Sequence, residues 1–202
     1  MTRTATTTPG GADTAWSWSD GRPACFAGPA GSLTVTAPGG SDLYRMPGVR
    51  EIDALVHASR PVEGDFTLSV RAEVRPDGGT GRFADAGGVL VTTADGWAKF
   101  CVERAPSGDW TLVTVVSAPY SDEAAGPVLD GPRAELTVVR EGRRAALLHR
   151  PDPEGEPRFV RTFTVPEGPL RVGLFAQAPF SASCTAVFDG VRLDPEPLRD
   201  RR

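Results

Sequence analysis

Short segments of alternating apolar and polar residues recur along the chain, and the clearest of them spans residues 65–74, DFTLSVRAEV. Every second residue from Phe66 to Val74 is apolar, and the residues between them are polar. Side chains alternate between the two faces of a strand, so this pattern predicts a half-buried strand. Similar patterns predict strands at residues 31–37, 52–58, 87–94, 97–105, 109–118, 133–140, 144–150, 158–165, 170–178 and 184–193.

Turn-forming residues separate these segments at intervals of about 8 to 12 residues, the spacing typical of an antiparallel sandwich. The run GGVLVTTA is almost continuously apolar, which predicts a central strand covered on both faces. No long amphipathic helix is predicted. The chain is therefore predicted to be all-β, with one two-sheet antiparallel β-sandwich over residues 15–195. Residues 1–14 are predicted to be a disordered tail, and 196–202 a frayed, charged end.

The composition limits the cellular compartments and the classes of binding partner that can be expected. The net charge is −4 and the 22 basic residues are scattered, which disfavours nucleic-acid binding. The chain has no apolar run of the kind found in signal peptides or membrane spans, so we expect no membrane association. Cys25, Cys101 and Cys184 lack metal-binding or redox spacing and are predicted to be reduced core residues of a cytoplasmic protein. His149 is predicted to lie at the surface, and no cofactor is expected.

Four segments resemble a known family when they are taken together. They are VEGDFTLSVRAEV, DAGGVLVTTADGWAKFCVER, LVTVVSAPYSDEA and the closing LRVGLFAQAP with AVFDGVRL. They resemble the bacterial and fungal family called domain of unknown function 1349 (DUF1349), over roughly residues 15 to 193. That family is similar to the protein called regulation of enolase protein, within the concanavalin A-like lectin/glucanase superfamily. The resemblance implies a concanavalin A-like jelly roll, and it implies no established activity.

The strand GWAKFCVER carries the main candidate site. Alternation puts Trp97, Lys99, Cys101 and Glu103 on one face and a plainly apolar set on the other. Lys99 is the only lysine of the chain. In curved sandwiches the concave outer face is the usual ligand groove, and a tryptophan beside charged groups suits the apolar face and hydroxyl rim of a pyranose. The alternative is a solvated face with a weak Lys99–Glu103 ion pair.

Two further segments, SDLYRMPG and PYSDEA, carry polar and aromatic residues that could complete this groove. The alternative for PYSDEA is a turn that caps its own backbone. The candidate ligand-binding residues are Asp42, Tyr44, Arg45, His57, Trp97, Lys99, Glu103, Tyr120 and Asp122.

Catalytic and metal chemistry are disfavoured. The tripeptide Glu51-Ile52-Asp53 resembles the start of the catalytic strand in retaining glucanases of the same superfamily. Such enzymes need a second carboxylate nearby, and the corresponding positions are Leu55 and Val56, which cannot transfer a proton. A metal site would need further ligands from another segment. No catalytic or metal-binding residue is therefore predicted, and the sequence leans against an enzyme.

The leading hypothesis is a ligand-binding jelly roll that takes a carbohydrate or a sugar-derived metabolite. A protein-interaction or regulatory module acting on a metabolic enzyme is the first alternative, and a glycan hydrolase is a disfavoured second one. A small-molecule ligand, a protein partner and a homodimer all stay open. Alanine at Trp97 or Lys99 is expected to abolish binding while leaving the melting temperature almost unchanged.

Overall fold

The computed structural model describes residues 15–27, 31–79, 81–152 and 154–199, which form fifteen strands and no helix. The tail predicted at residues 1–14 lies outside the described residues. The strands are β1 (Ser17–Trp18), β2 (Leu33–Pro38), β3 (Leu43–Met46), β4 (Arg50–Asp53), β5 (Val56–Val62), β6 (Phe66–Pro76), β7 (Ala86–Thr92), β8 (Trp97–Arg104), β9 (Trp110–Ser117), β10 (Ser121–Leu129), β11 (Arg133–Glu141), β12 (Arg144–Arg150), β13 (Arg158–Thr164), β14 (Leu170–Gln177) and β15 (Ser183–Asp194).

Two antiparallel sheets and one hairpin contain all of these strands. The seven-stranded sheet has the order β1-β5-β14-β7-β8-β9-β10, and the six-stranded sheet has the order β13-β12-β11-β6-β15-β2. Strands β3 and β4 pair only with each other and form a separate hairpin. The prediction of an all-β, two-sheet jelly roll is confirmed.

The core lies between the two sheets and is built from alternate residues of each strand. In β6, Phe66 and every second residue to Val74 are at most 2% exposed, which confirms the half-buried strand predicted there. In β8, Ala98, Phe100 and Val102 join the same core. The other members of the β8 row, from Trp97 to Glu103, consequently point away from this core, to the outer face of the seven-stranded sheet.

The central strand β7 is buried on both sides, as its apolar run predicts. Two glycines permit this close packing. A Cβ atom on Gly87 would lie 2.4 Å from the Ala186 Cβ atom of the opposite sheet. A Cβ atom on Gly88 would lie 2.1 Å from the backbone oxygen of Phe100 on the neighbouring strand. Neither position therefore has room for a side chain.

Alanine at Gly88 is expected to lower the free energy of unfolding by about 2–3 kcal/mol, because overpacking forces the β7–β8 backbone apart. Gly131→Ala is the matched control, since a Cβ atom there meets no atom within 4 Å. We expect that control to change stability by less than about 0.5 kcal/mol. Urea unfolding measures both values, and equal stabilities for the two variants would contradict the packing argument.

The strand predictions need four corrections, because one predicted strand is divided in two and β1, β3 and β10 were not predicted. The strand predicted at 52–58 is two strands, β4 and β5, separated by residues 54 and 55. No strand is predicted at β10, where a turn is the alternative given for PYSDEA, because SDEAAGPVL is poor in β-branched and aromatic residues. As an edge strand it has one neighbour, β9, and it tolerates Pro127 at a register shift between Ala125 and Val128.

The predictions for His149 and Cys25 are wrong, and the described part of the end predicted to fray is hydrogen-bonded. His149 is buried at 5% exposure because it lies opposite Leu136 on the core-facing side of its sheet. Cys25 is exposed, whereas Cys101 and Cys184 are buried as predicted. The end predicted to fray from residue 196 is held to β6 over its first residues. The Thr67 hydroxyl donates to the Glu196 carbonyl over 2.8 Å and accepts from the Leu198 N–H over 2.8 Å.

Candidate ligand cavity

The β3–β4 hairpin lies over the outer face of the seven-stranded sheet. Leu43 and Tyr44 of the hairpin pack with Trp97 against a second apolar cluster on that face. The cluster comprises Leu55, Ala86, Leu90, Cys101, Val113, Val115 and Phe175. The hairpin therefore covers part of a surface that would otherwise be open to solvent.

Two hydrogen bonds fix the hairpin to the sandwich, and a third closes its base. The Ser41 hydroxyl oxygen accepts from the Ala178 N–H over 3.0 Å, and the Ser121 hydroxyl oxygen accepts from the Arg45 N–H over 2.8 Å. The Asp42 carbonyl accepts from the Ala54 N–H over 2.8 Å, which closes the hairpin base. The hairpin is thus held at its base and along one strand.

A buried ion pair adds a third attachment to the sandwich. Lys99 Nζ donates to Asp42 Oδ1 over 3.0 Å and to Gln177 Oε1 over 2.8 Å. Asp42 Oδ1 also accepts from the Leu43 N–H over 2.7 Å. Lys99 is 2% exposed and Asp42 is 6% exposed. Buried charges need close partners because water does not hydrate them, and here both Lys99 and Asp42 have more than one hydrogen-bond partner.

Glu103 lies farther along the same strand and is also buried. Burial raises its pKa to about 7, Lys99 opposes this shift, and Glu123 and Asp42 add to it. The Cys101 thiol lies between Lys99 and Glu103, and burial raises its pKa well above the usual value. The β8 row is therefore a covered polar layer beneath the hairpin. The predicted open groove and the predicted solvated face are both wrong for Lys99 and Glu103.

A cavity of about 540 Å³ opens beside this layer, between the hairpin and the Trp97 end of β8. Its sheet side carries the half-buried Trp97 with its cross-strand neighbours Thr92 and Ser117. Its hairpin side carries Tyr44. The other described lining residues are Leu43, Arg45, Glu51, Ile52, Asp53, Leu55, His57, Leu90, Thr93, Ala94, Asp95, Gly96 and Pro119. The cavity thus combines an aromatic surface with charged groups.

His57 presents a defined hydrogen-bonding state to this cavity. Its Nδ1 lies 3.2 Å from the Leu55 carbonyl oxygen. A carbonyl oxygen only accepts, so Nδ1 carries the hydrogen atom and Nε2 of the neutral ring is an acceptor. Burial lowers the pKa of His57 and nearby Arg171 adds to this shift, whereas the hydrogen bond to Leu55 and the Asp53 carboxylate oppose it without reversing it. The ring is therefore neutral at pH 7.

Tyr44 joins the cavity to the polar layer. Burial raises its pKa, and so does Glu123, which accepts a hydrogen bond from the tyrosine hydroxyl. Glu123 lies on β10 opposite Val115, so its side chain shares the outer face with Lys99. No group of three or more His, Cys, Asp or Glu side chains suited to a metal ion occurs among the described residues.

The nine candidate residues fall into three sets. Tyr44, Arg45, His57 and Trp97 line the cavity together. The second set, Asp42, Lys99 and Glu103, is buried beside it under the hairpin. The third set, Tyr120 and Asp122, lies outside the described cavity lining.

Asp122 and Tyr120 differ from the prediction for identifiable reasons. Asp122 Oδ1 pairs with Arg161 Nη2 over 3.0 Å, on the side of β10 opposite Glu123. Tyr120 is 60% exposed in the segment between β9 and β10. Neither residue therefore contributes to the cavity.

Sequence reasoning missed Glu123, Gln177 and Asp95. Period-two alternation through Ser121 and Glu123 would have indicated the first, had β10 been recognised as a strand. Asp95 lies in the TADG turn, which gives no signal of a neighbouring cavity. Gln177, at the end of β14, reaches Lys99 across the intervening strand β7, a contact that no local pattern indicates.

A separate exposed surface carries two stacked rings. The Phe83 and Phe180 rings lie 5.8 Å apart between centroids with an interplanar angle of 14°, and each residue is 46% exposed. The Arg50 guanidinium lies 4.8 Å from the Phe180 centroid. Asp85 joins the two segments, because its Oδ2 accepts from the Arg82 N–H and from the Ser181 hydroxyl.

The fold and the covered outer face define a concanavalin A-like jelly-roll domain with a side cavity. A family model described as "Protein of unknown function (DUF1349)" matches residues 20–196. The chain belongs to this family, as its sequence motifs predict. No curated protein matches the chain significantly.

Solved structures share the fold at low sequence identity. A functionally unknown protein from Saccharomyces cerevisiae has a TM-score of 0.78 at 20% identity, with 91% of this chain and 97% of that chain covered. A GH43 glycoside hydrolase, engineered to display endo-xylanase and exo-arabinofuranosidase activity, has a TM-score of 0.67 at 18% identity. The match covers 94% of this chain and 42% of that enzyme.

An alginate lyase from Klebsiella pneumoniae has a TM-score of 0.54 at 10% identity, with 89% of this chain and 95% of the lyase covered. These likenesses show the fold. Within the part of the chain that the structure describes, no helix is long and apolar enough to cross a membrane.

Proposed function

We propose that this domain binds a saccharide in the cavity between the β3–β4 hairpin and the Trp97 end of β8. The observation that carries the proposal is a half-buried tryptophan facing a cavity that also holds several hydrogen-bonding side chains. Its volume, about 540 Å³, falls within the range of roughly 300–1,000 Å³ typical of small-ligand sites. A pyranose has an apolar face for the ring and hydroxyls for the polar groups.

The fold neighbours support a saccharide as the first ligand class to test. The glycoside hydrolase and the alginate lyase are both named for polysaccharide chemistry. A shared fold does not transfer an activity, so the argument depends on the cavity of this chain.

Binding rather than hydrolysis is proposed. A general acid at neutral pH needs a raised pKa and access to the scissile bond. Glu103 has the raised pKa, but it is buried beneath the hairpin and lies outside the described cavity lining. The carboxylates that do line the cavity, those of Glu51, Asp53 and Asp95, are exposed. The expected role is therefore recognition of a sugar.

Replacement of Trp97 by alanine is expected to weaken saccharide binding by about tenfold or more, because the stacking surface is lost. Isothermal titration of the full chain with neutral and charged oligosaccharides measures the affinity. Trp110→Ala is the matched control, since Trp110 is a half-buried tryptophan on β9 that stacks with Arg104 outside the cavity.

Circular dichroism must first show that both variants are folded, because Trp97 also packs against the outer apolar cluster. Unchanged affinity in folded Trp97→Ala, or equal losses in both variants, would contradict the proposed site. The sequence-based expectation of an unchanged melting temperature needs correction for Lys99, since that side chain is buried and paired.

The protein-interaction alternative has one supporting observation, the exposed Phe83–Phe180 stack beside Arg50. Aromatic and arginine side chains are enriched at protein interfaces. Isolated exposed apolar residues are also ordinary on monomers, and this surface is not enclosed. The cavity therefore supports a saccharide ligand more strongly than this surface supports a protein partner.

A further inference from the structure

The described cavity lining is rich in hydrogen-bond acceptors. Glu51 and Asp53 extend from β4, and Asp95 extends from the turn between β7 and β8. These three carboxylates are accompanied by a single guanidinium, that of Arg45, among the described lining residues. At pH 7 the lining consequently carries an excess of negative charge.

His57 adds a further hydrogen-bond acceptor to the lining. Its Nδ1–H is directed to the Leu55 carbonyl, so the other ring nitrogen is an acceptor in the neutral ring. A ligand group facing this lining is best matched when it donates hydrogen bonds and carries positive charge. A carboxylate or phosphate on the ligand would instead meet like charges, and that repulsion opposes binding.

We propose that the cavity selects a pyranose that carries a protonated amino group, such as the units of a β-linked glucosamine oligomer. This inference rests on the proposed saccharide function and names its ligand class. The apolar face of the sugar contacts Trp97, and the ammonium group donates to a carboxylate of the lining, that of Glu51, Asp53 or Asp95. An ammonium has three donors and no acceptor, which suits a lining of acceptors. Charge-assisted hydrogen bonds of this kind are stronger than neutral ones.

The experiment titrates the full chain at pH 7 with four probes. They are a glucosamine trisaccharide, its N-acetylated counterpart, a trisaccharide of glucuronate, and the linear polyamine spermidine. We expect the glucosamine trisaccharide to bind about tenfold more tightly than the acetylated trisaccharide. Its affinity should exceed that of the glucuronate trisaccharide by a larger factor. The preference should shrink when salt rises from about 20 mM to about 200 mM, because the charges are exposed.

A matched pair of variants links the preference to the cavity. Asp53→Asn removes one lining carboxylate and is expected to reduce the preference for the free amine by about threefold to tenfold. Asp130→Asn removes an exposed carboxylate outside the described lining and should leave the preference unchanged.

The outcomes separate this inference from the proposed function. Equal binding of the three trisaccharides, lost in Trp97→Ala, would keep the saccharide site and overturn the amine selectivity. Spermidine binding as tightly as the glucosamine trisaccharide would show a plain amine site and would overturn the sugar component. Absence of binding by every saccharide in this set and in the neutral panel would overturn both proposals.

Discussion

Lys99→Met is expected to lower the free energy of unfolding by about 3 kcal/mol, because the buried Asp42 carboxylate then keeps only its longer contact with Arg50 Nε, at 3.7 Å. Lys99 Nζ holds both Asp42 Oδ1 and Gln177 Oε1, and all three residues are at most 6% exposed. Chemical denaturation measures the loss. Amide hydrogen exchange should also accelerate across residues 43–53, because this pair attaches the hairpin to β8.

Two comparison variants make this expectation specific. Arg144→Met breaks an exposed pair with Glu141 and should cost less than about 1 kcal/mol. Addition of Asp42→Asn to Lys99→Met should recover about 1–2 kcal/mol, since no buried charge then lacks its partner. A loss below about 1 kcal/mol in Lys99→Met, with unchanged exchange in the hairpin, would show that the ion pair does not hold this element.

Glu103→Gln is expected to be close to wild type in stability at pH 4 and more stable by about 3 kcal/mol at pH 8. Burial raises the pKa of Glu103 from 4.5 to about 7. Between these two values the folded chain keeps a proton that the unfolded chain has released. The contribution of Glu103 to the free energy of unfolding of the wild type is therefore fully present below pH 4.5, and it is lost as the pH rises through about 7. Glutamine resembles the protonated acid and does not titrate.

Denaturant unfolding at several pH values of wild type and variant isolates this contribution. Burial lowers the pKa of both His57 and His149, so their contributions have the opposite sign and increase as the pH rises towards 6.5. The two histidine contributions are common to wild type and Glu103→Gln, so they cancel when the two free energies of unfolding are subtracted. Glu63→Gln, at an exposed carboxylate, is the control and should follow the wild-type curve. Parallel curves for wild type and Glu103→Gln would rule out a buried, protonated Glu103.

Most strands were predictable because alternation is a local property. The pattern from Phe66 to Val74 predicts both β6 and its buried face, since successive side chains must point to opposite sides. Strand β10 was not predictable in the same way. Its sequence contains Gly126 and Pro127, and its side chains are mostly exposed at the edge of the sheet, so no apolar alternation marks it.

The candidate site was predictable only in part. Tyr44, Arg45, His57 and Trp97 meet in one cavity, and each was named from residue type and strand face. Asp122 was misplaced because residues of a supposed turn carry no face assignment. Its neighbour Glu123, on the opposite face of β10, is the residue that contacts Tyr44.

The sequence by itself determined the fold class, the family and the division of β8 into an apolar face and a polar face. Only the tertiary structure decided what covers the polar face. Alternation assigns a side chain to one face of a sheet. The element that covers this face is set by contacts between residues that are far apart in the sequence. Here Asp42 lies 57 residues before Lys99 and reaches it through the β3–β4 hairpin. That long-range contact converts a surface row into a buried charged layer and leaves the cavity beside Trp97.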